Sequence, residues 1–143
     1  MTGIIVIGHG CFGTGLASAA ELILGKQEDF LAIDFQDGDT KTELENKVKA
    51  ALGQFEDVKH LLIFCDLLSG SPFNAMTAAT MGQKHSRVVY GTNLGMLVET
   101  LMNRNLGADW EELISELIQS GKDQVGMFFP KDDTEEEKDE DWD

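Results

Sequence analysis

The chain alternates short, unbroken apolar runs with longer segments whose apolar residues recur every three or four positions. Residues 3–8 (GIIVIG) form a continuous β-branched run bounded by glycines. A strand with one wet face would alternate polar and apolar positions, so an unbroken run predicts a strand covered on both faces. The runs at 30–35 (FLAIDF), 61–65 (LLIFC) and 88–90 read the same way, and 125–129 predicts a short last strand ended by Pro130. Between them lie helical spacings. Leu16, Ala19, Ala20, Ile23 and Leu24 predict a helix over 14–24 stopped by Gly25. Asp39 or Thr40 caps a helix running through Leu44, Val48, Ala51 and Leu52. Pro72 suits the first turn of a helix ending near Gly82, with Ser71 as its expected N-cap. A further helix spans about 94–102, and Asp109 with Glu112 forms a capping box for a helix closed by Gly121.

The order is βαβαβαβααβ. Strands of this kind joined by helices predict an α/β fold, a parallel sheet with helices on both faces. Ligands of such sheets sit at the carboxyl ends of the strands, where strand order reverses. The loops at 8–15, 34–39, 66–74 and 91–93 are therefore the ones that matter.

With 143 residues, the chain fits one domain with a real core. Residues 131–143 hold nine acids and two lysines, and predict a disordered acidic tail after a folded domain at 1–130. The net charge of -15 argues against non-specific binding to nucleic acid or anionic lipid. No run approaches a membrane span or a signal peptide, and two cysteines make no disulfide framework. A reduced, cytoplasmic protein is expected, with no direct membrane insertion.

Of three histidines, His60 and His85 precede strands and fall at the amino edge of the sheet, whereas His9 follows the first strand and falls at the carboxyl edge. Glycines at 8, 10, 13 and 15 leave its ring uncovered. Asp66 follows the third strand, where its carboxylate can accept the Nδ1 proton of His9 and leave Nε2 as nucleophile. The loop after it, with Ser69, Gly70, Ser71 and Phe73, opens a helix whose free N–H groups form an anion cradle. Gly10 lies on the other side of His9. Together these parts suit a phosphoryl group held on His9. No GxxxxGK[ST] loop marks an ATP site, and no cofactor is called for.

Three rival readings remain at this level. GHGCFG is formally a GxGxxG after a strand, with Asp34 at the distance of a ribose-binding acid, so a dinucleotide-binding module is one. Cys11 and Cys65 flank His9 and Asp66, which admits a metal site, although their spacing matches no known ligand pattern and no metal is expected. A regulatory module that senses phosphate without passing it on is the third.

The GHG at 8–10, FCDLLSGSPFNAM at 64–76 and GTNLGMLVETL at 91–101 resemble the EIIA component of the mannose family (mannose, sorbose and N-acetylgalactosamine types) of the bacterial sugar phosphotransferase system. The resemblance runs over about residues 1–130. It implies a phosphocarrier in which His9 takes a phosphoryl group from the phosphocarrier protein HPr and passes it to an EIIB partner for sugar uptake. It implies that Asp66 orients the histidine and that Ser71 holds the phosphate. It also implies a homodimer in which the last strand, 125–129, runs antiparallel and is exchanged between subunits. The family often has Gly-Gly where this chain has Ser69-Gly70. The sugar itself is not legible, because the membrane components choose it.

Overall fold

The computed structural model describes residues 1–83 and 85–131. Its elements are β1 (Thr2–His9), α1 (Phe12–Leu24), β2 (Phe30–Phe35), α2 (Lys41–Gly53), β3 (His60–Cys65), α3 (Ser71–Thr80), β4 (Ser86–Val89), α4 (Leu94–Asn105) and α5 (Trp110–Asp123). All strand pairs are parallel, in the order β2-β1-β3-β4. The chain thus moves outward from β1 to β2, then crosses back to place β3 on the other side. The reversal of order lies between β1 and β3. Among the described residues no helix is long and apolar enough to cross a membrane.

Two packed layers explain the unbroken strands. Ile4, Val6, Leu62 and Phe64 face Ala20 of α1, Met96, Leu97 and Leu101 of α4, and Leu117 of α5. Ile5, Ile7, Ile33 and Ile63 face Leu44 and Val48 of α2 and Met76 of α3. Ordering one residue costs about 1–2 kcal/mol of backbone entropy, and burying one Ile or Leu recovers about 1.5–3 kcal/mol. A central strand therefore gains only if both faces are covered, and Ile4 through Ile7 are all fully buried.

Local signals set the ends of the helices. Thr40 and Glu43 form a reciprocal capping box on α2, as Asp109 and Glu112 do on α5. Asp39 is not the cap. It accepts from the Gln36 amide and from Lys47 Nζ, and these contacts hold its carboxyl below the usual range, led by the lysine. Helix α1 begins two residues earlier than its apolar spacing predicts, and Ser71 is the first helical residue of α3, with Gly70 at the N-cap. The strand expected at 125–129 is not formed. Val125, Met127, Phe128 and Phe129 are exposed. A strand needs a neighbour to satisfy its backbone, and this segment pairs with neither free edge, β2 or β4. The expected acidic tail, apart from Lys131, lies outside the described residues.

Arg104 ties the bottom of the molecule together. It is 5% exposed and donates to the carbonyls of Thr2, Glu28 and Asp29. Arg104→Leu leaves these acceptors without that donor, and a loss of about 3 kcal/mol in urea denaturation is the expected result.

Candidate functional site

The carboxyl ends of β1 and β3 meet at the reversal point, and His9 and Asp66 meet there. The register pairs Ile7 with Cys65, so the two strands end side by side. Asp66 Oδ2 accepts from the backbone N–H of His9 and from its ring Nδ1, both at 2.8 Å. Its Oδ1 accepts from the Leu67 amide at 2.8 Å. Burial works against the charge on Asp66, but the amide and ring of His9 and the amide of Leu67 outweigh it and hold the carboxyl below its ordinary value. An ionised carboxylate accepts only, so Nδ1 is the donor, and the tautomer this selects for the neutral ring has its lone pair on Nε2. The His9 side chain is 44% exposed and that of Asp66 13%, so the orienting acid is sheltered while the ring is open.

Two glycines permit this contact. A Cβ on Gly8 would lie 2.6 Å from the Phe12 ring and 2.9 Å from Asp66 Cγ, so any side chain there displaces the carboxylate. Gly70, at φ +96°, presents its α-carbon to the His9 ring, and a Cβ there would sit 3.3 Å from Cε1 and 3.6 Å from Nε2. The start of α3 thus faces Nε2 of His9. The first intrahelical bond of α3 runs from the Asn74 amide to Gly70 O, which leaves the amides of Ser71 and Phe73 without intrahelical acceptors. The Phe73 ring packs edge-on against Tyr90 and the α2–α3 layer, so only its amide is free for a ligand.

Several residues singled out in the sequence have structural partners here. Gly10 flanks His9, but its amide donates to Phe35 O at 2.7 Å and is not available to a phosphate. Asp34 is not poised for a ribose. Its carboxylate accepts from the Thr14 amide at 2.9 Å and the Thr14 hydroxyl at 2.6 Å, and so fixes the start of α1. That contact, invisible in the spacing, is why α1 is longer than predicted. Cys65 is fully buried, its thiol pushed up to about 12 by burial and by Asp66, while Cys11 is exposed at the N-cap of α1. Among the described residues no group of three or more His, Cys, Asp or Glu could hold a metal ion. His60 and His85 lie at the far edge, with His60 stacked on Trp110 at 4.7 Å.

The fold and site define a parallel α/β protein with a carboxylate-steered histidine at the sheet rim. Residues 3–118 match the family described as PTS system fructose IIA component, of the EIIA-man type, and the chain belongs to that family. It is 38% identical over 132 residues to the PTS system mannose-specific EIIAB component of Escherichia coli (strain K12), covering 92% of this chain and 41% of that protein. The chain therefore spans about two fifths of that relative's length. It is 32% identical over 116 residues to the PTS system sorbose-specific EIIA component of Lacticaseibacillus casei, covering 81% of this chain and 83% of the relative. Among solved structures, the phosphotransferase system component EIIA from Streptococcus agalactiae aligns with a TM-score of 0.76 and 33% identity, over 89% of this chain and 97% of that one.

The depressed Asp66 carboxyl has a signed consequence. Its stabilising effect is complete above its unfolded value near 3.8 and is lost as pH falls through the lower folded value. Asp66→Asn is expected to lower stability by about 2 kcal/mol at neutral pH. The gap to the native chain should close only at pH values below 3.8, as read by urea midpoints across a pH series.

Proposed function

We propose that the chain is a cytoplasmic phosphocarrier of a sugar phosphotransferase system, accepting a phosphoryl group from phospho-HPr on Nε2 of His9 and passing it to EIIB. The observation that carries this reading is the 2.8 Å bond from His9 Nδ1 to a sheltered Asp66 beneath an exposed ring. It fixes one tautomer and points the free lone pair outward. In the transfer, the Nε2 lone pair forms the new P–N bond while the donor's P–N bond breaks, its electron pair returning to the donor nitrogen. The Nδ1 proton stays against Asp66, whose charge stabilises the imidazolium character that develops. No step needs a cofactor, since phosphoryl transfer between two imidazoles calls for alignment and charge stabilisation. The free amides of Ser71 and Phe73, with the Ser71 hydroxyl and the close approach allowed by Gly70, receive the added negative charge at a helix N-terminus. This local field opposes the repulsion of a chain carrying -15.

The protein is proposed to work as a homodimer through exchange of 125–129. A groove of about 670 Å³ runs beside the free edge of β4, lined by Val88, Val89, Tyr90, Ile114 and Ile118. An exposed apolar segment outside the sheet and an open, apolar-flanked sheet edge are complementary.

Incubation with phosphoenolpyruvate, enzyme I and HPr is expected to label the chain with one acid-labile, base-stable phosphate. His9→Ala should abolish it, and label retained on His60 or His85 would overturn the assignment. Label that does not leave on addition of EIIB would overturn the carrier role. Asp66→Ala is expected to slow transfer by about two orders of magnitude with the fold retained, because it removes an orienting group and no core volume. Removing 124–143 should halve the mass in sedimentation, whereas removing 131–143 should leave it and the labelling unchanged.

A further inference from the structure

We propose that the Ser69 hydroxyl is a direct ligand of the phosphoryl group on His9, and that the chain keeps a strained backbone there for this purpose. The inference rests on the phosphocarrier reading and deepens it. Two non-glycine residues among those described have positive φ, Asp29 at +49° and Ser69 at +69°. Asp29 has a structural reason. Its carbonyl accepts from the Ile4 amide and from Arg104, tying the turn to β1 and α4, and aspartate tolerates this region better than most residues.

Ser69 has no such reason. It is exposed, and its hydroxyl makes no hydrogen bond among the described residues. Glycine would adopt the same conformation without strain. A side chain held against backbone preference at a site points to a role for that side chain. The position supplies one. Gly70, the next residue, approaches His9 so closely that a Cβ there would be 3.6 Å from Nε2. One Cα step of about 3.8 Å separates Ser69 from Gly70, which is within the span of a phosphoryl group bonded to Nε2. Ser69 is exposed, as are its neighbours Leu67 and Leu68, so its hydroxyl is open to an incoming group.

The hydroxyl donates a hydrogen bond to a phosphoryl oxygen and gives up no proton, so the electron balance of the transfer is unchanged. It acts beside the Ser71 and Phe73 amides and favours the phosphorylated chain over the phosphorylated donor. A charge-assisted hydrogen bond of this kind shifts such an equilibrium by about tenfold.

The test compares native protein with Ser69→Ala and Ser69→Gly. Each is equilibrated with phospho-HPr, and the ratio of the two phosphoproteins is measured along with the hydrolysis rate of the isolated phosphorylated chain and the urea midpoint. Both variants should still be labelled on His9. Both should shift the equilibrium toward phospho-HPr by about tenfold and hydrolyse faster. Ser69→Gly should have a higher urea midpoint than Ser69→Ala, since only glycine relieves the strain. A native equilibrium in either variant would overturn the ligand role while leaving the carrier reading intact. A glycine variant no more stable than the alanine variant would overturn the strain argument. Failure of the native protein to be labelled on His9 would overturn both readings.

Discussion

One carboxylate oxygen holds one histidine at two points. Asp66 Oδ2 receives both the backbone N–H and the ring Nδ1 of His9, so the acid fixes where the residue sits and which way its ring turns. The backbone bond continues the β1–β3 pairing one step past the last strand residue, with a side chain in place of a carbonyl. The ring bond chooses the tautomer. Neither bond is possible unless β1 and β3 are neighbours, which requires the chain to reverse direction across the sheet between them. The two fully packed layers exist, in this sense, to bring the ends of two strands together. Gly8 adds the last condition, because a methyl group at that position would fill the space Asp66 occupies.

The electrostatics of the site run against those of the molecule. A chain of -15 repels any incoming anionic group at long range. At short range, unsatisfied amides at the start of α3 and an imidazole steered by a sheltered acid favour it. Screening at physiological salt confines the repulsion to about 8 Å, while hydrogen bonds act at about 3 Å. Local donors therefore decide the outcome once contact is made. The exposed leucines beside Asp66 keep the rim apolar and accessible.

How much was legible varies with the range of the cause. The capping boxes at Thr40 and Asp109 are contacts over three residues, and the text of the chain displays them. So does the burial of Ile4–Ile7, since an unbroken apolar run has no wet face to offer. Ser71 looked like an N-cap by type, yet the close approach to His9 places Gly70 at that position. The early start of α1 depends on Asp34, twenty residues away from Thr14, which no local window contains. The same contact removes the dinucleotide reading, because the acid is already engaged. The segment 125–129 has the composition of a strand, but pairing is a property of two segments and composition reports only one of them.

By itself, the sequence determined the alternation of strand and helix, the two-faced burial of the sheet, and a short list of chemically able residues at its carboxyl edge. These follow from unbroken apolar runs, from helical spacing near 3.6 residues and from side-chain type. Only the tertiary structure decided which acid meets which base. Asp34, near the end of β2, and Asp66, just past β3, both lie beside β1, and strand order together with register gives Asp66 to His9 and Asp34 to Thr14. That order is a long-range property set by crossovers and packing of whole layers, and no local pattern encodes it.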